Sequence, residues 1–293
     1  MIDWKDIEIK DKDAVNNLIC ASGCHGADYS FANLYIWRHA YEPKIFFLEN
    51  RMLVGNPNWK MFAYPKGDGD VRPSIELLLE EAHAKGDKLV LRGLTDKTLE
   101  EFLPLYGERF EISEDRDNAD YIYTADKLCN LAGRKLSSKR NHINKFEKNG
   151  DWEFVKITSD NLDAAKEFVS EFYQEKNDPD LADESVAIDE MFANYDALGF
   201  IGGLLYQNGK PVAFSAGTAL DEDVFDVHFE KALPDIEGAY TMVNREFARL
   251  VVSERPSVGA FNREEDMGLE GLRRAKESYH PDILLMKYFA KEK

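Results

Sequence analysis

Apolar and polar residues alternate along VFDVHFEKA (224–232). Phe225, Val227 and Phe229 fall on one face and Val224, Asp226, His228 and Glu230 on the other; a period of two predicts a strand. GFIGGLLYQNGKPVAFSAGTAL (199–220) reads as a hairpin with Asn208-Gly209 at its turn, the dipeptide that accepts positive φ at both positions. WEFVKIT (152–158) precedes it as a strand, and helical periods run over 160–176, 184–197, 239–253 and 268–278. SVGAF (257–261) and ILLMKYF (283–289) complete the second half as strands. In the first half KIFFLEN and RMLVG flank Asn50-Arg51 as a hairpin, NWKMFAY adds a strand, and Pro73 opens a helix that runs through Ala84. KLVLRGL, a helix from Asp96 to Leu105 and ADYIYTA follow. Hairpin, strand, helix, strand, helix, strand thus occurs twice, which predicts α/β or α+β structure in both halves.

This order matches that of a Gcn5-type N-acetyltransferase (GNAT) fold, in which a strand leads through a loop into a helix whose free N-terminal amides hold the phosphates of an acyl donor. The equivalent place is LPDIEGAYTMV, so Gly238, Ala239 and Tyr240 are the candidate donor loop. Two acids, Asp235 and Glu237, stand where a pyrophosphate needs cations or bare amides, which argues against coenzyme A. The expected partition is an N-terminal GNAT-like domain over 1–126, a basic connecting helix over 127–150, and a C-terminal GNAT-like domain over 151–293 that carries the cleft.

Charge sharpens this picture. Lys127 to Lys148 holds seven Lys or Arg against one acid, Glu147, inside a chain of net charge −18. As a helix, this segment gathers Leu136, Ile143 and Phe146 into one apolar stripe flanked by Lys139 and Arg140. Its expected anion is the protein itself; an anion site at Lys139 and Arg140 is the sharper alternative, and a tRNA footprint, which needs several phosphate contacts at once, the weakest. With 293 residues, 44% of them hydrophobic, the chain can bury a substantial core. It has no apolar run long enough to span a membrane and its N-terminus lacks a signal-peptide core, so a soluble cytoplasmic protein is expected. Cys20, Cys24 and Cys129 form no metal-site spacing, and no metal is expected. Walker, HExxH and dinucleotide motifs are absent, and Ser215 and His25 lack a triad context.

Three stretches carry a resemblance: DYSFANLYIWRHAY (28–41), GRKLSSKRNHINKF (133–146) and FNREEDMGLEGLRRAKESYHP (261–281). They resemble the soluble family related to the C-terminal domain of bacterial phosphatidylglycerol lysyltransferase. The resemblance implies two tandem GNAT-like domains and kinship with enzymes, Fem-type transferases included, that move an aminoacyl group from a charged tRNA to an amine or hydroxyl. The relatives end with Lys, two residues, an aromatic, one residue and Pro, here Lys276, Tyr279 and Pro281. This makes Lys276 the implied active-site cation. The relatives' early-helix Asp, which meets the aminoacyl amine, is replaced here by Tyr240, Thr241 and Asn244, and no counterpart of their membrane-embedded half is expected.

The leading expectation is therefore an acyl or aminoacyl transferase working by direct attack of an amine. Asp226, His228 or Glu230 would handle the proton, since an imidazole between carboxylates has its charged form favoured and can serve as acid or base. Lys276 with Arg273 would hold negative charge. Arg263, Glu264, Asp266 and Tyr279 join the substrate-binding set, with Glu264 or Asp266 facing a cationic amine; helix capping by Asp266 is the plainer alternative. The donor would be an aminoacyl-tRNA, acyl-CoA less readily, and the acceptor a small amine. Two alternatives stay open: an acyl-CoA N-acetyltransferase, and a non-catalytic GNAT-like module that binds a small molecule or protein.

Overall fold

The computed structural model of the chain describes residues 1–23, 25–176 and 182–293; Cys24 lies outside the described residues. Two compact units emerge. The first contains Met1–Asp120, Glu264–Arg274 and Leu284–Lys293, and the second Tyr121–Arg263 and Ala275–Ile283.

In the first unit, Lys44–Leu48 and Arg51–Gly55 pair as the expected hairpin. Its turn is Glu49-Asn50, one residue earlier than read from the sequence, with Glu49 at φ +52. A second sheet runs in the order Phe62–Ala63, Val90–Leu94, Tyr288–Glu292, Phe110–Glu114. Helix Arg72–Ala84 begins where Pro73 predicts, and Asp96–Tyr106 is closed at its start by a Thr95–Thr98 capping box. Leu53, Phe62, Tyr64, Ile75, Leu78, Phe102, Phe110 and Ala290 are among the core they enclose. Helix Lys12–Ser22 has no counterpart among the elements read from the sequence.

The second unit is a meander closed by a crossover. Trp152–Lys156, Ile201–Gln207, Lys210–Ala219 and Val224–Ala232 pair antiparallel in chain order. Asn208 and Gly209 turn the hairpin at φ +51 and +75. Helix Ala239–Glu254 then carries the chain to Ala260–Asn262, which runs parallel to Val224–Ala232, and Asp120–Thr124 adds antiparallel beyond it. The helix buries Met242, Val243, Phe247 and Val251, and Phe247 meets Phe225 edge-on at 5.9 Å.

The observed units do not follow the partition expected from the sequence. The basic helix, Ser137–Lys148, belongs to the second unit rather than standing between two domains: Leu136, Ile143 and Phe146 are all buried there, and Gln207 Nε2 donates to the Phe146 carbonyl at 3.1 Å. The last strand belongs to the first unit. ILLMKYF breaks into Ile283–Leu285 and Tyr288–Glu292, and the latter is hydrogen-bonded between Val90–Leu94 and Phe110–Glu114. Strand pairing between segments nearly 200 residues apart leaves no local trace in composition.

Candidate functional site

Two parallel strands part in the second unit, and their parting assembles a polar cluster. Val224, Phe225 and Asp226 pair with Ala260, Phe261 and Asn262, and there the register ends. On its other side the Val224–Ala232 strand carries a bulge: Ala216 opposes Phe229 and Thr218 opposes Asp226, so Val227 and His228 share the single residue Gly217. A Cβ on Gly217 would lie 2.0 Å from the Asp226 carbonyl oxygen, so only glycine fits opposite the bulge. Bulges bend a strand and re-aim its side chains. Past this point Glu230 from one strand reaches Arg263 from the end of the other, Oε1 to Nη2 at 2.7 Å.

Asn244, in the second turn of helix Ala239–Glu254, donates its amide to the other carboxylate oxygen of Glu230 at 3.0 Å. Arg263 lies over the Tyr279 and Tyr123 rings, 5.1 and 5.7 Å from the centroids. Its backbone N–H donates to the Tyr121 carbonyl, while its own carbonyl accepts the Lys276 ammonium at 2.6 Å. The Tyr123 hydroxyl donates to the Lys276 carbonyl at 2.7 Å, and Thr241 hydrogen-bonds the Tyr279 hydroxyl. Lys139, from the basic helix, places Nζ 3.9 Å from the Tyr279 ring centroid.

Two atoms of this cluster are unspent. Arg263 Nη1 and Asn244 Oδ1 are buried without a hydrogen-bond partner among the described residues. Each such atom costs about 1–3 kcal/mol, and a ligand that supplied the missing partner would recover it. One is a charged donor and the other a neutral acceptor, and Glu230 holds both side chains. Burial and the Arg263 charge push the Lys139 amine down to about 8, with Glu230 opposing them; burial pushes the Tyr279 hydroxyl up to about 12.

The other residues singled out in the sequence are placed differently. Of the polar row on Val224–Ala232, only Glu230 enters the cluster. Asp226 is fully buried and His228 is 8% exposed, so the row is no solvated face. His228 Nε2 lies 2.8 Å from the Thr218 hydroxyl and Nδ1 3.5 Å from Asp226, and the ring leans on Phe200. His228 is thus enclosed by Thr218, Asp226 and Phe200. Lys276 enters the cluster as a clamp on a carbonyl rather than as an open cation.

Arg273 and Asp266 lie in the first unit. Asp266 is fully buried, bound by Arg116 at 3.0 Å and by Arg273 at 2.8 Å, and accepts the Gly268 N–H. Arg273 also reaches Asp117. A carboxylate held by two guanidiniums has no room for a substrate amine, so the capping and ion-pair alternative is the one the geometry supports. Glu264 accepts from Asn33 Nδ2 at 3.1 Å. Arg140 donates to the Leu131 and Gly133 carbonyls, tying its own loop rather than facing an anion.

The donor loop is crowded by the basic helix. Gly238 sits at φ +86 before helix Ala239–Glu254, and a Cβ there would lie 2.3 Å from the His142 carbonyl oxygen of the basic helix. The Ala239 N–H is spent on the Ile236 carbonyl, and Glu237 is paired with Lys145 at 2.6 Å. Tyr240 is 44% exposed.

Sequence reasoning named Asn244 only as standing near the place of the relatives' early-helix Asp, and it missed Tyr123 and a second buried network altogether. In the first unit, Lys287 Nζ lies 2.5 Å from Asp28 and 2.6 Å from Asp120, and Asp120 also accepts the Ala27 N–H. Burial pushes the nearby Glu265 carboxyl up to about 8, with Asp28, Glu264 and Asp120 adding to the shift and Lys287 opposing it. The signal was present: Lys287 interrupts an otherwise apolar final stretch, where a lysine enters the interior only with partners.

Comparison with known proteins places the chain. Residues 22–291 match the family described as phosphatidylglycerol lysyltransferase, C-terminal. A conserved protein of unknown function from Bacteroides thetaiotaomicron VPI-5482 is 35% identical, with 100% of both chains covered and a TM-score of 0.93. The C-terminal domain assigned to a lysylphosphatidylglycerol synthetase of Agrobacterium fabrum is 13% identical over 97% of this chain and 92% of that one, at a TM-score of 0.69. L-PGS from Bacillus licheniformis is 15% identical over 100% and 94%, at 0.67. An uncharacterized protein of Mycoplasmoides gallisepticum is 23% identical over 182 residues; the match spans 59% of this chain and only 56% of that relative. The mixed α/β fold is shared with the Agrobacterium fabrum and Bacillus licheniformis structures over nearly their whole length.

Proposed function

The chain belongs to the phosphatidylglycerol lysyltransferase C-terminal family, and from that premise we propose that the Glu230–Arg263–Asn244 cluster is the site of an acyl or aminoacyl transfer to an amine or hydroxyl acceptor. The observation that carries this reading is the pair of buried, unspent atoms, Arg263 Nη1 and Asn244 Oδ1, fixed by one carboxylate. Acyl transfer places growing negative charge on a carbonyl oxygen, and a preoriented, dehydrated donor aimed at that oxygen lowers the barrier. Arg263 Nη1 is such a donor. Asn244 Oδ1 can accept from the attacking nitrogen or from an α-amino group. Glu230 keeps the guanidinium from rotating away, and Tyr123 and Tyr279 wall it from water.

An aminoacyl ester, as carried by charged tRNA, suits the geometry better than acyl-CoA. At the start of helix Ala239–Glu254 the first amide is bonded to the Ile236 carbonyl and the His142 carbonyl presses on Gly238, and the acids Asp235 and Glu237 disfavour a pyrophosphate there. A cleft of about 400 Å³ nearby in the same unit is lined by Lys127, Gly133, Arg134, Lys135 and His280, of which Arg134 and Lys135 are exposed and suited to phosphate contacts. No helix of the described residues is long and apolar enough to cross a membrane.

The test is transfer of labelled amino acid from charged tRNA to a panel of amines, with acetyl-CoA in parallel. Glu230→Gln and Arg263→Met should each lower kcat/KM by about 100-fold or more while the far-ultraviolet circular dichroism spectrum is unchanged. Turnover of acetyl-CoA alone would move the reading to an N-acetyltransferase. Saturable ligand binding without turnover of either donor would make it a binding module.

A further inference from the structure

Besides Arg263 Nη1 and Asn244 Oδ1, one amine of the cluster is left without a polar partner. Both oxygens of Glu230 are taken by Arg263 and Asn244. His228 is held by Thr218 and Asp226, and the Lys276 ammonium by the Arg263 carbonyl. The Lys139 amine makes no hydrogen bond or ion pair with any described residue and lies over the Tyr279 ring, 3.9 Å from its centroid. Arg263 lies over the same ring at 5.1 Å. Two cations therefore share one aromatic ring, with a single carboxylate, Glu230, between the strands to balance them.

We propose that Lys139 is the proton acceptor of the transfer reaction, its neutral amine taking the proton that the acceptor loses as it attacks the carbonyl. This rests on the function proposed above. In the step, the acceptor nitrogen (or oxygen) forms a bond to the carbonyl carbon and its proton passes to Lys139 Nζ, while the carbonyl oxygen, now negative, is held by Arg263 Nη1. The ester C–O bond then breaks, and the leaving alkoxide takes the proton back from the Lys139 ammonium. An ester and an amine become an amide and an alcohol, and the lysine is restored.

The groups that face Lys139 fix its proton affinity. Burial and Arg263 lower it, Glu230 raises it, and the net position is about 8. Tyr279 carries its hydroxyl proton to about 12, and burial pushes Tyr123 up as well, so both rings are neutral in the working range. A base serves best when its own midpoint lies near the operating pH.

The experiment pairs kinetics with a direct readout of the amine. Lysine side-chain NMR of the full chain, assigned by loss of one signal in Lys139→Arg, follows the Lys139 Cε shift against pH. A midpoint near 8 that moves upward in Arg263→Met is expected. In the transfer assay Lys139→Arg, which keeps the charge but cannot give up a proton, should lose about 100- to 10,000-fold in kcat. Lys139→Ala should be partly rescued by ethylamine, which a merely structural lysine would not show. A normal rate in Lys139→Arg, or a midpoint above 10, overturns the proposal while leaving the transferase reading intact. Absence of transfer by the wild-type chain overturns both.

Discussion

Gly238 and Glu265 are residues whose environment decides their chemistry. Gly238 is at φ +86 with the His142 carbonyl where a side chain would begin. Gly238→Ala must strain the backbone and push the basic helix away. A loss on the order of 1–3 kcal/mol in urea unfolding is expected, and an unchanged midpoint would mean that the contact yields freely. Glu265 is held near 8 instead of its usual 4.5. Its native carboxyl therefore keeps a proton that the unfolded chain has already lost between those values. The stabilisation it contributes is present in acid and is lost as pH rises through about 8. Comparing wild type with Glu265→Gln by thermal melts from pH 5 to 9, the wild type should lose stability relative to the variant as pH rises. A constant difference would show that Glu265 does not titrate in that window.

At the scale of elements, two segments depend on identifiable anchors. The basic helix is docked by Ile143 and Phe146, with Lys145 paired to Glu237 and Glu147 to Arg245. Phe146, fully buried, should cost about 3–5 kcal/mol when cut to Ala, and the loss should displace Lys139 and the site with it. The last strand is pinned by Glu292, which accepts the Leu89 N–H and bonds His83 and Arg109. Burial alone would raise this carboxyl, but those three bonds together bring it to about 2. Its contribution is thus present above the usual 4.5 and lost as pH falls towards 2. Glu292→Gln should accordingly destabilise the chain at pH 7, and the difference from wild type should shrink in acid.

For the whole molecule, the interleaving of the two units along the chain matters most. A fragment ending at residue 126, where the sequence suggests a boundary, lacks the strand that bonds to both Val90–Leu94 and Phe110–Glu114. It should fail to give a cooperative melt, and addition of a 284–293 peptide should restore one in part. The net charge of −18 sets up self-repulsion that salt screens over about 8 Å at physiological ionic strength. The melting temperature should therefore rise between about 10 and 150 mM salt, and a fall would mean that the internal ion pairs outweigh the repulsion.

The sequence by itself determined many of the elements and the family. The Asn208-Gly209 turn, the Pro73 helix start, the core face of Phe225, Val227 and Phe229 and the apolar stripe of the basic helix follow from local periods and turn chemistry, and they sit where those rules put them. Glu230, Arg263 and Lys139 were legible as candidates because charged residues stood in unusual company, and Tyr279 through the family resemblance. Tertiary structure alone decided which of them meet. The bulge at Val227-His228 turns His228 into the sheet and leaves Glu230 at the parting of the strands, and a helix between Gly238 and Ala260 brings Asn244 and Arg263 to one carboxylate. It also decided that Lys287 and Tyr288–Glu292 complete the first unit. Pairings across tens or hundreds of residues are fixed by the packing of whole faces, and no short stretch of sequence records them.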